Sequence, residues 1–289
     1  MFDLEDLQTF VEVADAGGIT PAARRLGLSK SIVSRRLVRL EEELGVQLMS
    51  RTTRGAALTE AGASFREHAA SVAAELDAAR EAISPSGDVR GRLRIAAPLS
   101  FGPMHIAPVL AELARRHPRL QVQASYSDRF VDLVGEGLDA AVRIGYLPDS
   151  NLVVRRIAPI RGKFVASPSY IEMHGMPQAP DDLLNHEALM QGIEPWRLVV
   201  RGKIVTIRPQ GRFKADNGEA LAAAAVAGLG IATLPDFLTD AHIASGALAP
   251  VLLDYPPPEA GLFVVRPPGD FPPRKVRALI DILVERFGA

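Results

Sequence analysis

The chain has 289 residues, 47% of them apolar and 23% charged, which is enough for two or three domains and excludes wholesale disorder. It has no cysteine, so disulfides, thiolate metal sites and a cysteine nucleophile are excluded together. Its 33 bases and 34 acids leave a net charge of −1, so a nucleic-acid or membrane surface, if present, has to be local. No apolar run approaches the roughly 20 residues of a membrane helix. The N-terminus, MFDLEDLQTF, lacks the basic and apolar regions of a signal peptide. The expectation is a soluble cytoplasmic protein with no membrane association.

Residues 1–90 read as helical. Leu4, Leu7, Phe10, Val11 and Ala14 fall at helical spacing before Gly17-Gly18 breaks the pattern. Thr20-Pro21 predicts a capping residue and a first helical proline, opening a short helix that stops at Gly27. Ser29 predicts the cap of a further helix to about Leu44, stopped by Gly45, with Arg51–Gly55 as a turn. From Thr59 to Ile83 one long helix is expected. Phe65, Ala69, Val72, Leu76, Ala79 and Ile83 alternate steps of four and three, a heptad seam on an otherwise charged helix. A lone helix with so narrow an apolar stripe needs a partner, most simply a second copy of itself. Phe65, Val72, Leu76 and Ile83 are the dimerisation residues this predicts; packing on its own domain is the alternative.

Beyond the hinge Ser84-Pro85-Ser86-Gly87-Asp88 the texture changes. Strands are expected at 93–97, 120–126 and 139–144, with helices at 103–117 and 130–136 between them. A second series begins at Arg161 and adds strands at 203–207 and 230–234 and an alanine-rich helix from Asn217 to Ala227. Leu262–Val265 and a helix from Arg274 to Phe287 close the chain. Strands alternating with helices predict βαβ units and a mostly parallel sheet. The proline clusters at 256–258, 267–268 and 272–273 read as connecting loops.

Between Thr20 and Thr59 lie eight bases (Arg24, Arg25, Lys30, Arg35, Arg36, Arg39, Arg51, Arg54) and only three acids (Glu41, Glu42, Glu43). Such segregation is the electrostatic footprint of a DNA-binding element. A short helix, a turn through Gly27-Leu28-Ser29 and a second helix match a helix-turn-helix, whose second helix reads base edges with its N-terminal residues. Lys30, Ser31, Ser34 and Arg35 occupy that part, while Ile32, Val33, Leu37 and Leu40 are expected to face the core. Arg54 sits where a wing residue would touch phosphate or the minor groove, and Arg51 reads as a second contact or a brace. Thr20 and Arg39 complete the candidate DNA-binding set.

These residues carry a resemblance. The stretch from Leu7 to Phe65 resembles the LysR-type transcriptional regulators through Thr20-x-Ala22-Ala23, Ser34-Arg35, Leu40-Glu41, Leu44-Gly45, Arg51 and Leu58-Thr59-x-x-Gly62. EGLDAAVRIGYLPDSNLVVRRIAP, ASPSY and GLGIATLP extend the likeness over essentially the whole chain. Gly18-Ile19, Lys30 and Met49 depart from the family's usual residues, and Lys30 bears on which operator bases are preferred. The resemblance implies an all-α winged helix-turn-helix N-terminal domain (residues 1–58), a long linker helix and hinge (59–88), and an α/β two-lobed effector domain like periplasmic binding proteins (89–289). Lobe 1 would take about 89–160 and 263–289, and lobe 2 about 161–262. It further implies a homodimer through the linker helix, assembly as a homotetramer, double-stranded DNA and RNA polymerase as partners, and a small organic effector.

Ligands of doubly wound sheets sit at the carboxyl ends of strands, near helix N-termini. That places candidate effector residues at Ser100, Phe101 and Gly102, the last two through their amides, and at Asp128, Arg143 and Gly145. By similarity to the family, lobe 2 adds Trp196 as an aromatic wall, Asp216, Asn217 and Pro235. Asp216 reads equally as a helix cap, Arg143 as an ion-pair partner and Trp196 as a core residue. The six histidines are scattered without metal-ligand spacing, and GxSxG, GxGxxG and GxxxxGK[ST] are absent. No catalytic residue, metal or cofactor is expected. A solute-binding module and a small-molecule enzyme are the disfavoured alternatives, the first for want of a signal segment and the second for want of catalytic motifs.

Overall fold

A computed structural model describes residues 3–52, 55–82, 88–129, 131–269 and 271–288. The headpiece opens with α1 (Leu4–Ala16), α2 (Ile19–Leu26) and α3 (Lys30–Leu44). Asp3 caps α1 and Ser29 caps α3. Gly17, Gly27 and Gly45 end the three helices at φ 69°, 66° and 68°, a left-handed turn that costs glycine little. Thr20 is not a cap: Gly18 holds that position and Thr20 lies within the first turn of α2.

The stretch Arg51–Gly55, expected as a turn, joins the two strands of a wing, and residues 53 and 54 lie outside the described residues. Strand β1 (Met49–Thr52) pairs antiparallel with β2 (Gly55–Leu58), and Arg51 stands opposite Ala56. Strands of four residues are too short to show a period in sequence. The linker helix α4 (Glu60–Ala82) follows. Thr59 starts it, its hydroxyl accepting from the Gly62 amide at 2.9 Å and donating to the Gln47 carbonyl at 2.7 Å. A Cβ on Gly62 would lie 2.0 Å from the Leu48 carbonyl oxygen, so only glycine lets α4 pass this loop. Phe10, Val13, Val33, Leu37, Leu40 and Leu48 form the headpiece core.

Two α/β lobes follow. Lobe 1 contains β3 (Gly91–Ala97), a π-helical turn (Gly102–Ile106), α5 (Ala107–Arg116), β4 (Leu120–Tyr126), β5 (Ala140–Gly145) and β6 (Val153–Ile160). The chain then crosses into lobe 2, with β7 (Gly162–Ala166), α6 (Pro168–His174), a 3-10 turn (Pro180–Asn185), β8 (Ala188–Met190), β9 (Trp196–Val200), β10 (Lys203–Ile207) and β11 (Phe213–Lys214). Lobe 2 continues through α7 (Gly218–Val226), β12 (Ile231–Pro235), α8 (Asp236–Ala244) and β13 (Ala249–Val251). Strand β14 (Ala260–Arg266) and α9 (Arg274–Phe287) return to lobe 1.

Each lobe holds a five-stranded sheet, ordered β4-β3-β5-β14-β6 in lobe 1 and β11-β8-β12-β7-β13 in lobe 2. The sheets are mixed, not mostly parallel. In lobe 1, β3 is parallel to β4 and β5, whereas β14 is antiparallel to β5 and β6. Lobe 2 repeats the pattern around β12 and β7. The antiparallel half arises where the chain changes lobes, because a crossing strand has no βα connection to turn it round.

The helix expected at 130–136 is a turn over its described residues. Asp132 accepts from the amides of Val134 and Gly135 at 3.1 Å each, and Gly137 leaves the turn at φ 63°. The side chain competes for amides that a helix would use.

Candidate nucleic-acid interface and effector cleft

Helix α3 buries Val33, Leu37 and Leu40. Its other face exposes Lys30, Ser31 and Arg35, with Ser34 half-buried at the boundary. Ser29 fixes the start of this face: its hydroxyl accepts from the Ile32 amide at 3.3 Å and lies 2.9 Å from that of Ser31. Ile32 does not face the core as expected; it is 37% exposed beside Ser31. An apolar side chain there suits a thymine methyl group. The signal was in the sequence: Val33, Leu37 and Leu40 form an i, i+4, i+7 stripe, and Ile32 lies about 100° round the helix from Val33, at its edge.

The local positive charge divides into two groups. Arg25 binds Glu12 at 3.2 Å, and Arg36 binds Glu5 and donates to the Thr9 hydroxyl at 3.4 Å. Arg39 holds both carboxylate oxygens of Asp6 at 2.5 Å, and Asp6 is fully buried. That bond raises the Arg39 guanidinium further above its ordinary value. Arg39 therefore neutralises a buried acid of α1, with half of its side chain left exposed. Among the described residues, no ion pair engages Arg24, Lys30 or Arg35. Arg24, exposed in the last turn of α2, joins the candidate surface. Arg54 lies outside the described residues. Glu41 holds the loop before the wing, accepting from the amides of Leu48 and Met49 at 2.7 and 2.9 Å.

The heptad seam divides. Phe65 packs into its own headpiece, 5.5 Å from the Phe10 ring, and Ala69 is buried there too. Phe65 is thus corrected from a dimerisation residue to a core residue. Val72 is 52% exposed and Leu76 half-buried; Ile83 lies outside the described residues.

At the cleft, Asp128 connects three segments. One carboxylate oxygen accepts from the Leu99 amide at 2.8 Å, and the other from Asn217 Nδ2 at 3.4 Å, across the two lobes. Asn217 caps α7, accepting from the amides of Glu219 and Ala220 at 2.9 and 3.1 Å. Asp216 is therefore not the cap; it is exposed and its carbonyl accepts from Gln191 Nε2 at 3.3 Å. Arg143 donates to the Arg129 carbonyl at 2.9 Å. Burial lowers its pKa from the ordinary value, opposed by the charges of Asp128 and Glu136. Ser100 is half-buried in the turn after β3, Gly145 ends β5 at φ 128°, and Pro235 ends β12. Tyr146 and Arg197, which the sequence reading missed, meet nearby: the Arg197 guanidinium lies 4.6 Å from the Tyr146 ring centroid, bridging the lobes. The Tyr146 hydroxyl donates to the Pro258 carbonyl.

Gly102 and Trp196 are corrected as effector contacts, and the Phe101 ring, as distinct from the amide expected to bind, faces the core. Phe101 is 3% exposed and packs on His105, Phe237 and Phe287, with the Phe237 ring 4.8 Å away. It joins the lobes behind the cleft. The Gly102 amide is taken by the Pro98 carbonyl at 2.7 Å, and a Cβ there would strike the Tyr126 ring. Trp196 is 5% exposed and lies 5.4 Å from Phe164 in the core of lobe 2. Among the described residues there is no group of metal-ligating side chains, and no helix is long and apolar enough to cross a membrane.

Comparison with known proteins matches both halves. Residues 4–63 match the family described as bacterial regulatory helix-turn-helix protein, lysR family, and residues 86–288 match the LysR substrate binding domain. The HTH-type transcriptional regulator PtxR of Pseudomonas aeruginosa is 36% identical over 99% of this chain and 93% of its own. An HTH-type transcriptional regulator of Xanthomonas campestris is also 36% identical, over 99% of this chain and 86% of its own. Among solved structures, the LysR-type regulator CrgA of Neisseria meningitidis is similar at TM-score 0.60 and 32% identity, covering 99% of both chains. The virulence activator AphB of Vibrio cholerae is similar at TM-score 0.58 and 27% identity, covering 98% of this chain and 99% of its own.

Proposed function

The chain belongs to the LysR family of transcriptional regulators, and from that membership we propose that it binds a partly palindromic duplex as a dimer under the control of a small organic effector. Helix α3 enters the major groove with Lys30, Ser31, Ile32, Ser34 and Arg35 toward base edges, while Thr20, Arg24 and the wing, through Arg51 and Arg54, hold the backbone. The observation that carries this reading is the exposed, unneutralised N-terminal face of α3 in a headpiece where acids engage Arg25, Arg36 and Arg39. Val72, Leu76 and Ile83 pair the linker helices, and two dimers join as a tetramer that works with RNA polymerase at the promoter.

The effector occupies the cleft where Asp128 and Asn217 meet. Ser100, Asp128, Arg143, Gly145, Asp216, Asn217 and Pro235 line the opening or support it. A half-buried guanidinium favours an organic acid, since an anion lowers the cost of keeping Arg143 charged there. Control follows if the effector binds the two lobe arrangements with different affinity.

Titration of duplex DNA at several salt concentrations tests the DNA reading. Affinity for a selected operator is expected to fall steeply with salt, as counterion release requires. A chain that shows no salt-dependent DNA affinity would overturn it and leave the solute-binding or enzymatic alternatives.

A further inference from the structure

The headpiece is joined to lobe 1 of the same chain by charge. Asp15, on α1, is only 8% exposed and is ion-paired with three arginines on two other elements. Arg66 of α4 reaches one carboxylate oxygen through Nη2 at 2.6 Å and Nε at 3.1 Å. Arg94 of β3 reaches the other at 3.0 Å, with Arg92 at 3.7 Å. Arg92 also donates to Glu12 of α1 at 2.8 Å. Arg66 continues to the Gly135 carbonyl at 3.4 Å. A Cβ on Gly137 would lie 2.9 Å from Arg94 Nη1, so glycine leaves room for the guanidinium.

Strand β3 is held firmly at this end. The Arg94 amide donates to Asp139 at 2.8 Å, and Lys275 bonds both Asp139 and the Arg92 carbonyl at 2.6 Å. At its other end the same strand runs into Leu99, whose amide is held by Asp128 at the cleft. From Arg92 to Ala97 is about 17 Å of strand, and the turn that holds Leu99 follows directly. One stiff segment thus touches the headpiece junction and the cleft.

We propose that the Glu12 and Asp15 carboxylates with Arg66, Arg92 and Arg94 form a latch that fixes the headpiece on lobe 1, and that β3 transmits movement of the cleft to it. The second half rests on the cleft reading above; the first does not. The latch exchanges charge-assisted hydrogen bonds for a free headpiece, so it responds to ionic strength and to neutralising either partner.

The absence of cysteine permits paired spin labels at introduced cysteines replacing the exposed Gln47 of the headpiece and Asn151 of lobe 1. Labelled full-length chain is diluted with unlabelled chain so that pulsed EPR reads intrachain distances. The unmodified network is expected to give one narrow distribution. Asp15→Asn should at least double its width, Arg94→Gln should do so from the lobe side, and the double variant should add little. Circular dichroism and thermal transitions confirm that the variants fold, and Arg94→Lys should restore part of the narrowing. Distributions as narrow as the parent's in both single variants would overturn the latch. Asp128→Ala tests the transmission without any ligand: a shifted distribution supports it. No shift, with Asp15→Asn still broadened, would refute transmission through β3 and leave the latch standing.

Discussion

Arg35, Arg36 and Arg39 stand on one helix and are indistinguishable by charge, yet they do different things. Arg36 and Arg39 are engaged by Glu5 and Asp6, and Arg35 is exposed among serines. Arg35→Ala should therefore weaken specific binding by about 1–3 kcal/mol while leaving the unfolding midpoint nearly unchanged. Arg39→Ala should do the reverse: it strands the buried Asp6 carboxylate, lowers the denaturation midpoint and barely alters the salt slope of DNA binding. Operator titration beside denaturant melts of both variants checks the pair. In the cleft, Ser100→Phe should abolish the effector response with DNA affinity retained; an unaltered dose curve would place the effector elsewhere. What the sequence could not reveal at this scale is partner choice. The basic cluster and its serines were legible, but which arginine Asp6 takes depends on how α1 crosses α3.

At the scale of elements, glycines and caps were the most readable features. Gly17, Gly27, Gly45 and Ser29 bound their helices as local chemistry predicts. Less legible were the short strands of the wing and β9, which pairs antiparallel with β10; their lengths give no period. The heptad seam predicts one surface and serves two: Phe65 and Ala69 pack on the headpiece, whereas Val72 is exposed. Val72→Asp should accordingly dissociate the dimer by at least tenfold in sedimentation while headpiece melting is preserved. Phe65→Asp should instead unfold the headpiece, because it puts a charge beside Phe10. Equal sedimentation of parent and Val72→Asp chains would remove this turn of α4 from the dimer contact.

For the molecule as a whole, the α/β class was legible from alternating strands and helices and the two lobes from the family resemblance, whereas the mixed sheets were not, since lobe crossing is a property of topology. Two half-buried histidines give the folded chain a pH dependence. Burial, aided by Arg286, lowers His105, and burial, aided by His174, lowers His186. The unfolded chain therefore takes up these protons first as pH falls below about 6.5, and stability declines in that window. The melting temperature should drop between about pH 7.5 and about pH 5.5, and less so in His186→Asn.

The account rests on α3 reading DNA sequence, and selection from a pool of random duplexes measures that directly. The full-length chain should enrich a two-fold related motif with half-sites about one helical turn or a multiple apart, and Arg35→Ala should lose preference at one position in each half. Enrichment of no motif, or of the same motif by both chains with equal selectivity, would contradict it.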